Sequence, residues 1–429
     1  LLNRPEELSS LKDHLDKSGF RIQDAPGAMQ GLSEWSNLDG VPEWVLGAGV
    51  FLFGLAVGSF LNVVIHRLPR GVSVVAPGSQ CPRCGTRIKP QHNVPLVSFV
   101  LLRGKCASCG ASISPVYPIV EAATAILFLL IFLKTGFGWT LLLNFAFAAA
   151  IGALAVIDAK HRILPDAITY PGLVLAVGLR ALIPDPNWKP LMVVRYEALV
   201  SELTPTWQAI AGAVGIALSC ALLLLIEWLD YRILGKRIEQ AEAALAAAPD
   251  HLAEQPRAES ETREAAGHLR AAAGESNGAP AATTETEVDF SHLEKRGFLE
   301  WAVIALALGL AGLFLIVALI EEPIAALGFE SVLHSLAGAI VGGWFLWLSR
   351  LVYYAFRKLE GVGFGDIKMM LMIGAFLGWQ GAFMTILIGS VLGSVYGVTV
   401  MLLTRERNPK MAFGLYLGIS ALITFFIQV

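Results

Sequence analysis

Gly361-Val362-Gly363-Phe364-Gly365-Asp366 is a glycine-rich turn whose closing carboxylate opens directly onto the apolar run Ile367 to Phe376. An ionisable side chain at the edge of such a run is costly to keep in a membrane, which makes it a candidate for function rather than packing. A second acid closes an apolar segment far upstream, at Ile157-Asp158, and is followed by Ala159-Lys160-His161-Arg162. The fold turns on whether the segments around these two aspartates cross a membrane.

The 429 residues are 55% hydrophobic and only 16% charged, with a mean hydropathy of +0.61. A soluble protein cannot bury that much apolar surface, so the composition excludes an ordinary soluble enzyme and predicts an all-α polytopic membrane protein. Segments long enough to cross roughly 30 Å of hydrocarbon fall near 45–66, 118–134, 138–157, 168–183, 207–229, 299–320, 332–356, 366–380, 382–403 and 411–428, about ten transmembrane helices in all. The net charge of -3 says little by itself. The positions of Lys and Arg say more. Arg67, Arg70, Arg83, Arg87, Lys89, Arg103 and Lys105 lie in the first loop, and Lys160 and Arg162 follow Asp158. Lys236 and Arg237 follow the fifth segment, Arg350, Arg357 and Lys358 lead into the Gly361 turn, and Arg405, Arg407 and Lys410 sit in the last loop. Counting segments alternately puts all five clusters on one side, which the positive-inside rule makes the cytoplasm, with Asp158 and Asp366 at that face.

These features divide the chain into a polar N-terminal tail (1–44), a first transmembrane helix (45–66), and a cysteine-bearing cytoplasmic module (67–117). Membrane helices carrying Asp158 (118–230), an acidic Ala/Glu-rich cytoplasmic insertion (231–298) and membrane helices carrying the Gly361 turn (299–429) follow. The tail reads as a solvated segment or as an amphipathic surface helix around Leu8 to Phe20. The insertion combines helical propensity from Ile238 to Ala272 with a Gly/Ser/Thr/Pro tract from Gly274 to Thr286. Its acids either form a solubilising linker or attract a basic peptide. Nothing calls for a nucleic-acid partner.

The module is small and needs a staple. Cys81-Pro82-Arg83-Cys84 and Cys106-Ala107-Ser108-Cys109, each followed by glycine (Gly85, Gly110), form two knuckles. The two-residue spacing lets both sulfurs of a knuckle reach one ion, and four thiolates around zinc make a closed, structural, zinc-ribbon-like site. Two disulfides are the competing reading, less suited to a reducing compartment. His92 is a stray candidate ligand, and Cys220, within a span, reads as a small buried hydrophobe.

The glycines before Asp366 allow the backbone to bend and approach a substrate, and the helix that Asp366 opens favours an anion at its start. If Asp158 and Asp366 lay a few ångströms apart, repulsion and burial would keep one protonated and one ionised. One could then activate water while the other protonates a departing amine, which is an aspartyl protease. A lone aspartate at a span end is more often a cap or a solvent-facing charge, and for Asp166, after Leu164-Pro165, capping is the preferred reading. Glu121, inside the second span, could tune the pair or bind substrate.

At these residues the chain resembles the type IV prepilin peptidases. The resemblance begins at Phe53-Gly54-Leu55-Ala56-Val57-Gly58-Ser59-Phe60-Leu61-Asn62-Val63-Val64-Ile65-His66-Arg67-Leu68-Pro69 and runs through both cysteine knuckles and Tyr117-Pro118-Ile119-Val120-Glu121. It continues with Ile157-Asp158, Leu164-Pro165-Asp166-Ala167-Ile168-Thr169-Tyr170-Pro171-Gly172, Gly363-Phe364-Gly365-Asp366-Ile367-Lys368 and Phe413-Gly414. The resemblance implies a bifunctional leader peptidase and N-methyltransferase of the bacterial cytoplasmic (inner) membrane. Asp158 and Asp366 would be the catalytic pair, supported by Gly363, Gly365, Lys368 and Asp166, and zinc would sit on Cys81, Cys84, Cys106 and Cys109. Its substrates would be prepilins of type IV pili and pseudopilins of type II secretion, cut on the cytoplasmic side after a basic leader. The new amine would then be methylated from S-adenosylmethionine. Asn62, Arg67 and Glu121 are candidates for the methyl-donor site by charge and placement; Arg67 reads as well as an interfacial anchor. A core of about eight spans is expected, so the 207–229 and 299–320 segments look like an added pair. Two alternatives stay open: a zinc-stapled assembly or transport protein whose acids line an ion path, and a peptidase without methyltransferase activity.

Overall fold

The computed structural model describes residues 41–76, 78–183, 203–230, 291–320, 322–357, 361–404 and 411–428. The expected surface helix at Leu8 to Phe20, most of the acidic insertion, and Lys236, Arg237, Lys358, Arg405, Arg407 and Lys410 lie outside the described residues. The helices are α1 (Glu43–Arg67), the short α2 (Val97–Leu101), α3 (Val116–Thr135), α4 (Trp139–His161), α5 (Asp166–Leu182) and α6 (Pro205–Asp230). After them come α7 (Ser291–Ile320), α8 (Glu322–Arg357), α9 (Phe364–Thr404) and α10 (Phe413–Gln428). All ten expected apolar segments fall on helices, two of them on α9, which Gly378 interrupts at φ 74°. That left-handed backbone suits a residue without a Cβ.

Seven of the described helices are long and apolar enough to cross a membrane, so the chain is a multi-pass membrane protein. The expected ten crossings would require α5 (17 residues), α10 (16 residues) and the two halves of α9 to cross as well. Many large apolar side chains face outward, among them Leu52, Leu133 and Leu402. Such faces suit lipid, and helices apolar on every side read this way.

Without a hydrophobic force between helices in lipid, close packing must hold them together, and small residues permit it. Gly54 and Gly58, one turn apart on α1, meet α3 so closely that a Cβ would lie 2.6 Å from the Ala125 Cα and 2.7 Å from the Glu121 Cα. On α8, a Cβ at Gly338 would collide with the Gly374 carbonyl oxygen of α9. Aromatic stacking closes the core: Phe147 of α4 lies flat on Phe376 of α9 at 3.9 Å between centroids, with Phe425 of α10 at 6.3 Å from Phe147. Helix α10 therefore packs against both α4 and α9, and the Phe147–Phe376 stack bridges those two. These three helices carry the residues of the site.

Residues Leu1–Cys220 with Ala302–Val429 form one compact unit and Ala221–Trp301 a second. Only the ends of α6 and α7 are described in the second.

Candidate active site

Asp158 lies in the last turn of α4 and Asp366 in the first turn of α9, and both are buried, at 5% and 8% exposure. They converge on one point of α10. A Cβ at Gly414 would lie 2.9 Å from Asp158 Oδ2 and 3.2 Å from Asp366 Oδ1. Those two oxygens thus lie within the roughly 6 Å over which like charges alter one another's proton affinity. The Leu415 backbone N–H donates to Asp158 Oδ2 at 3.1 Å and fixes that carboxyl's orientation. The geometry offers what acid–base hydrolysis needs, two acids facing a shared space.

Glycines of the Gly361 turn serve contact rather than unusual backbone angles, since none of Gly361, Gly363 and Gly365 has a positive φ. A Cβ at Gly365 would press on Leu164 at 2.9 Å, and one at Gly361 on the Tyr353 ring at 2.5 Å. Leu164 belongs to the connection between α4 and α5, so Gly365 lets the loop after Asp158 seat directly on the turn before Asp366.

The expected capping role of Asp166 is corrected. Asp166 is the first residue of α5, after an N-cap at Pro165. Its carboxylate pairs instead with Lys368 Nζ at 2.9 Å. Lys368 is buried, and its ammonium also lies over Tyr170 and Phe364 at 4.7 and 4.8 Å. A buried cation keeps its charge only when paired, so this contact ties the start of α5 to the start of α9, two residues from Asp366. Gly414 and Leu415 have no residue signature of a site beyond the Phe413-Gly414 pair within the resemblance, because the chemistry there is a backbone amide and an absent side chain.

Each cysteine knuckle is built alike. Cys81 N–H donates to Thr86 O and Gly85 N–H to Cys81 O, while Cys106 N–H donates to Ala111 O and Gly110 N–H to Cys106 O, all between 2.8 and 3.0 Å. Gly85 and Gly110 sit at φ 70° and 69°, where a Cβ is strained. The four sulfurs are free thiols within 4.8 Å of one another, so they gather around one point rather than pairing. Cys81 Sγ and Cys109 Sγ are 3.9 Å apart, close to the roughly 3.8 Å edge of a tetrahedron with Zn–S bonds of about 2.3 Å. Contact with the Thr86 hydroxyl and backbone N–H holds the Cys84 thiol down to about 6. Cys109 is pushed up to about 11: the Ala111 N–H favours its thiolate, but Cys84, burial, Cys106 and Cys81 outweigh it. Four sulfurs gathered this closely, with the Cys84 and Cys106 thiols held below their usual range, are suited to a shared cation. His92 is not in the cluster.

The three candidates for the methyl-donor site are placed as follows. Asn62 Nδ2 donates to the Tyr117 carbonyl at 3.0 Å. Arg67 donates to the carbonyls of Ser73 and Gly78 at 3.1 and 3.2 Å. Glu121 Oε2 accepts from the Leu96 N–H at 2.8 Å. Asn62 also lines a cavity of about 130 Å³ with His66, Arg70, Tyr117, Lys160 and His161. Arg67 and Glu121 do not line it. Among its lining residues there is no acid.

Residues 52–135 match the bacterial peptidase A24 N-terminal domain and residues 300–398 the type IV leader peptidase family. Proteins named prepilin leader peptidase/N-methyltransferase are similar to the chain. That of Myxococcus xanthus is 42% identical over 130 residues, 30% of this chain and 39% of the relative. That of Pseudomonas aeruginosa is 40% identical over 162 residues, 31% of this chain and 56% of the relative. That of Aeromonas salmonicida is 24% identical over 413 residues, 90% of this chain and 91% of the relative. The chain thus spans about half the length, or less, of the first two relatives. No solved structure matches it.

Proposed function

From the premise that a chain carrying both domains belongs to the type IV leader peptidase family, we propose that it is a bifunctional prepilin leader peptidase and N-methyltransferase. The observation that carries the reading is the meeting of Asp158 and Asp366 over Gly414. Two buried carboxylates at that separation hold one proton between them, because a second charge there is costly. The ionised member takes a proton from water as its oxygen bonds to the scissile carbonyl carbon. The protonated member gives its proton to the amide nitrogen as the carbon–nitrogen bond breaks. Leu415 N–H, by engaging Asp158 Oδ2, holds one carboxylate ready for this exchange. The Asp166–Lys368 pair keeps the start of α9 in register with the loop after Asp158.

The substrates on this reading are prepilins and pseudopilins. The clusters of Lys and Arg at one set of segment ends support an active site facing the cytoplasm, in a bacterial inner membrane. A substrate helix lying in the bilayer would present its cytoplasmic end beside both acids. Zinc on Cys81, Cys84, Cys106 and Cys109 would be structural, with no open position for chemistry. When bound, S-adenosylmethionine supplies the methyl group carried by its positive sulfur. We place the methyl donor's carboxylate at the basic cavity beside Asn62. That cavity is smaller than the roughly 300 Å³ of a typical ligand pocket and would hold one end of such a molecule. Arg67 and Glu121 would act by holding the module's backbone around it. The test is incubation of the purified chain, in bilayer discs, with a prepilin and S-adenosylmethionine, read by mass spectrometry. We expect a product lacking its leader and bearing one added methyl. An intact prepilin would overturn the peptidase reading, and a trimmed but unmethylated product would leave a peptidase alone.

A further inference from the structure

The four-cysteine module has an inside-out element. In Val94 to Leu101 the one polar side chain points in and four apolar ones point out, while Pro95, Leu96 and Phe99 are half-buried. Ser98 is buried, its hydroxyl accepting from the Val94 N–H at 2.9 Å and donating to the Gln91 carbonyl at 3.3 Å. Val94, Val97, Val100 and Leu101 are exposed, the last two at 72% and 75%. Positions 97, 100 and 101 share one face of α2 by their three- and four-residue spacing. In water this pattern is unfavourable, since each exposed apolar side chain forgoes the gain of burial.

The segment is also fixed at a depth. Leu96 forms a tight turn at φ 58°, ψ -48°, with the Val97 N–H donating to the Pro95 carbonyl at 2.6 Å. This is a γ-turn of the rare, strained kind. The Leu96 N–H is taken by the buried carboxylate of Glu121. Glu121 lies five residues inside α3, which begins at Val116, a rise of about 8 Å along the helix. The interfacial layer on either side of the hydrocarbon is roughly 5–8 Å thick. Leu96 is thus held level with the first turns of a membrane-spanning helix. Beside it the lipid-suited surface of α3 continues through the exposed Tyr117 and Ile119. The loop between α1 and α3 carries six Lys and Arg and no Asp or Glu, a charge suited to a phosphate-bearing surface.

We propose that Val94–Leu101 is seated in the interfacial layer of the bilayer, with the apolar side chains of α2 among the lipids and Glu121 as the tether that sets its depth. The module then rests on the membrane rather than standing free in the aqueous phase. Its occupant is the lipid itself, not a second copy or a substrate helix.

The test places a photo-crosslinking amino acid at position 101 of the full chain in phospholipid discs, with position 52 on α1 as the lipid-facing reference. We expect lipid adducts at 101 in a yield within a few-fold of that at 52. Glu121→Ala should lower the yield at 101 severalfold and leave that at 52 unchanged, while Glu121→Gln, which keeps an acceptor oxygen, should retain it. Crosslinks from 101 to a second copy of the chain, or solvent quenching without lipid adduct, would overturn the proposal. An unchanged yield in Glu121→Ala would overturn the tether. None of these readouts uses peptidase activity, so they stand or fall apart from the function proposed above.

Discussion

At the scale of single residues, the site depends as much on what is absent as on what is present. The space between Asp158 and Asp366 exists because position 414 has no side chain, and a Cβ there would come within 2.9 Å of Asp158 Oδ2. Gly414→Ala should therefore lower leader cleavage by about 10²-fold or more, with a thermal midpoint little changed; cleavage at the original rate would show that the space is not used. The pair Asp166–Lys368 should respond asymmetrically. Asp166→Ala leaves a buried ammonium without its acid, a loss on the order of 1–3 kcal/mol or more. Lys368→Met removes the buried charge itself and leaves Asp166, whose side chain is 31% exposed, to water. Asp166→Ala should thus be the less stable of the two in thermal unfolding. The two aspartates and four cysteines stand out in the sequence because carboxylates at span ends and Cys-x-x-Cys knuckles are chemically distinctive. Gly414 and Leu415 do not stand out, since an unfilled space and a backbone N–H have no residue signature.

At the scale of elements, the convergence of α4, α9 and α10 decides the site's geometry. Helix boundaries could be read from hydropathy because a membrane demands long apolar runs. Which runs touch could not, because in lipid every apolar face is equally suited to lipid or protein. The contacts are chosen by small residues and ring stacking instead. Gly338→Ala would drive a Cβ into the Gly374 carbonyl oxygen, and overpacking of this kind costs about 1–3 kcal/mol. A lower midpoint of thermal unfolding than the parent is the expected outcome, and an equal midpoint would mean that α8 and α9 do not cross there. Asp166 shows the other limit of local reading. A helix-start acid looks like a cap, and only the fold reveals a partner 202 residues away. In the cysteine module the spacing alone indicated the cluster, and the αL glycines and matched hydrogen bonds explain why the knuckles hold it. Metal analysis should find about one zinc per chain, lost in Cys81→Ser/Cys106→Ser. Hydrogen exchange should then rise across 79–113 while 151–158 and 366–377 stay protected. A metal-free parent protein with an equally protected module would contradict the zinc reading.

At the scale of the whole molecule, composition alone indicated a multi-pass membrane chain, and the placement of Lys and Arg proposed its orientation. How many segments cross was less legible, because Gly378 breaks one helix of 41 residues and α5 and α10 are short. The central claim is that Asp158 and Asp366, brought together from segments 208 residues apart by three converging helices, act as one unit. Groups that act as a unit are non-additive when removed. The direct measurement is the rate of leader cleavage by Asp158→Asn, Asp366→Asn and the double variant, each checked for an unchanged thermal midpoint. Each single variant should lose at least about 10²-fold, and the double should be no slower than the slower single. A single variant that cleaves at the parent rate, or losses that multiply in the double, would contradict it.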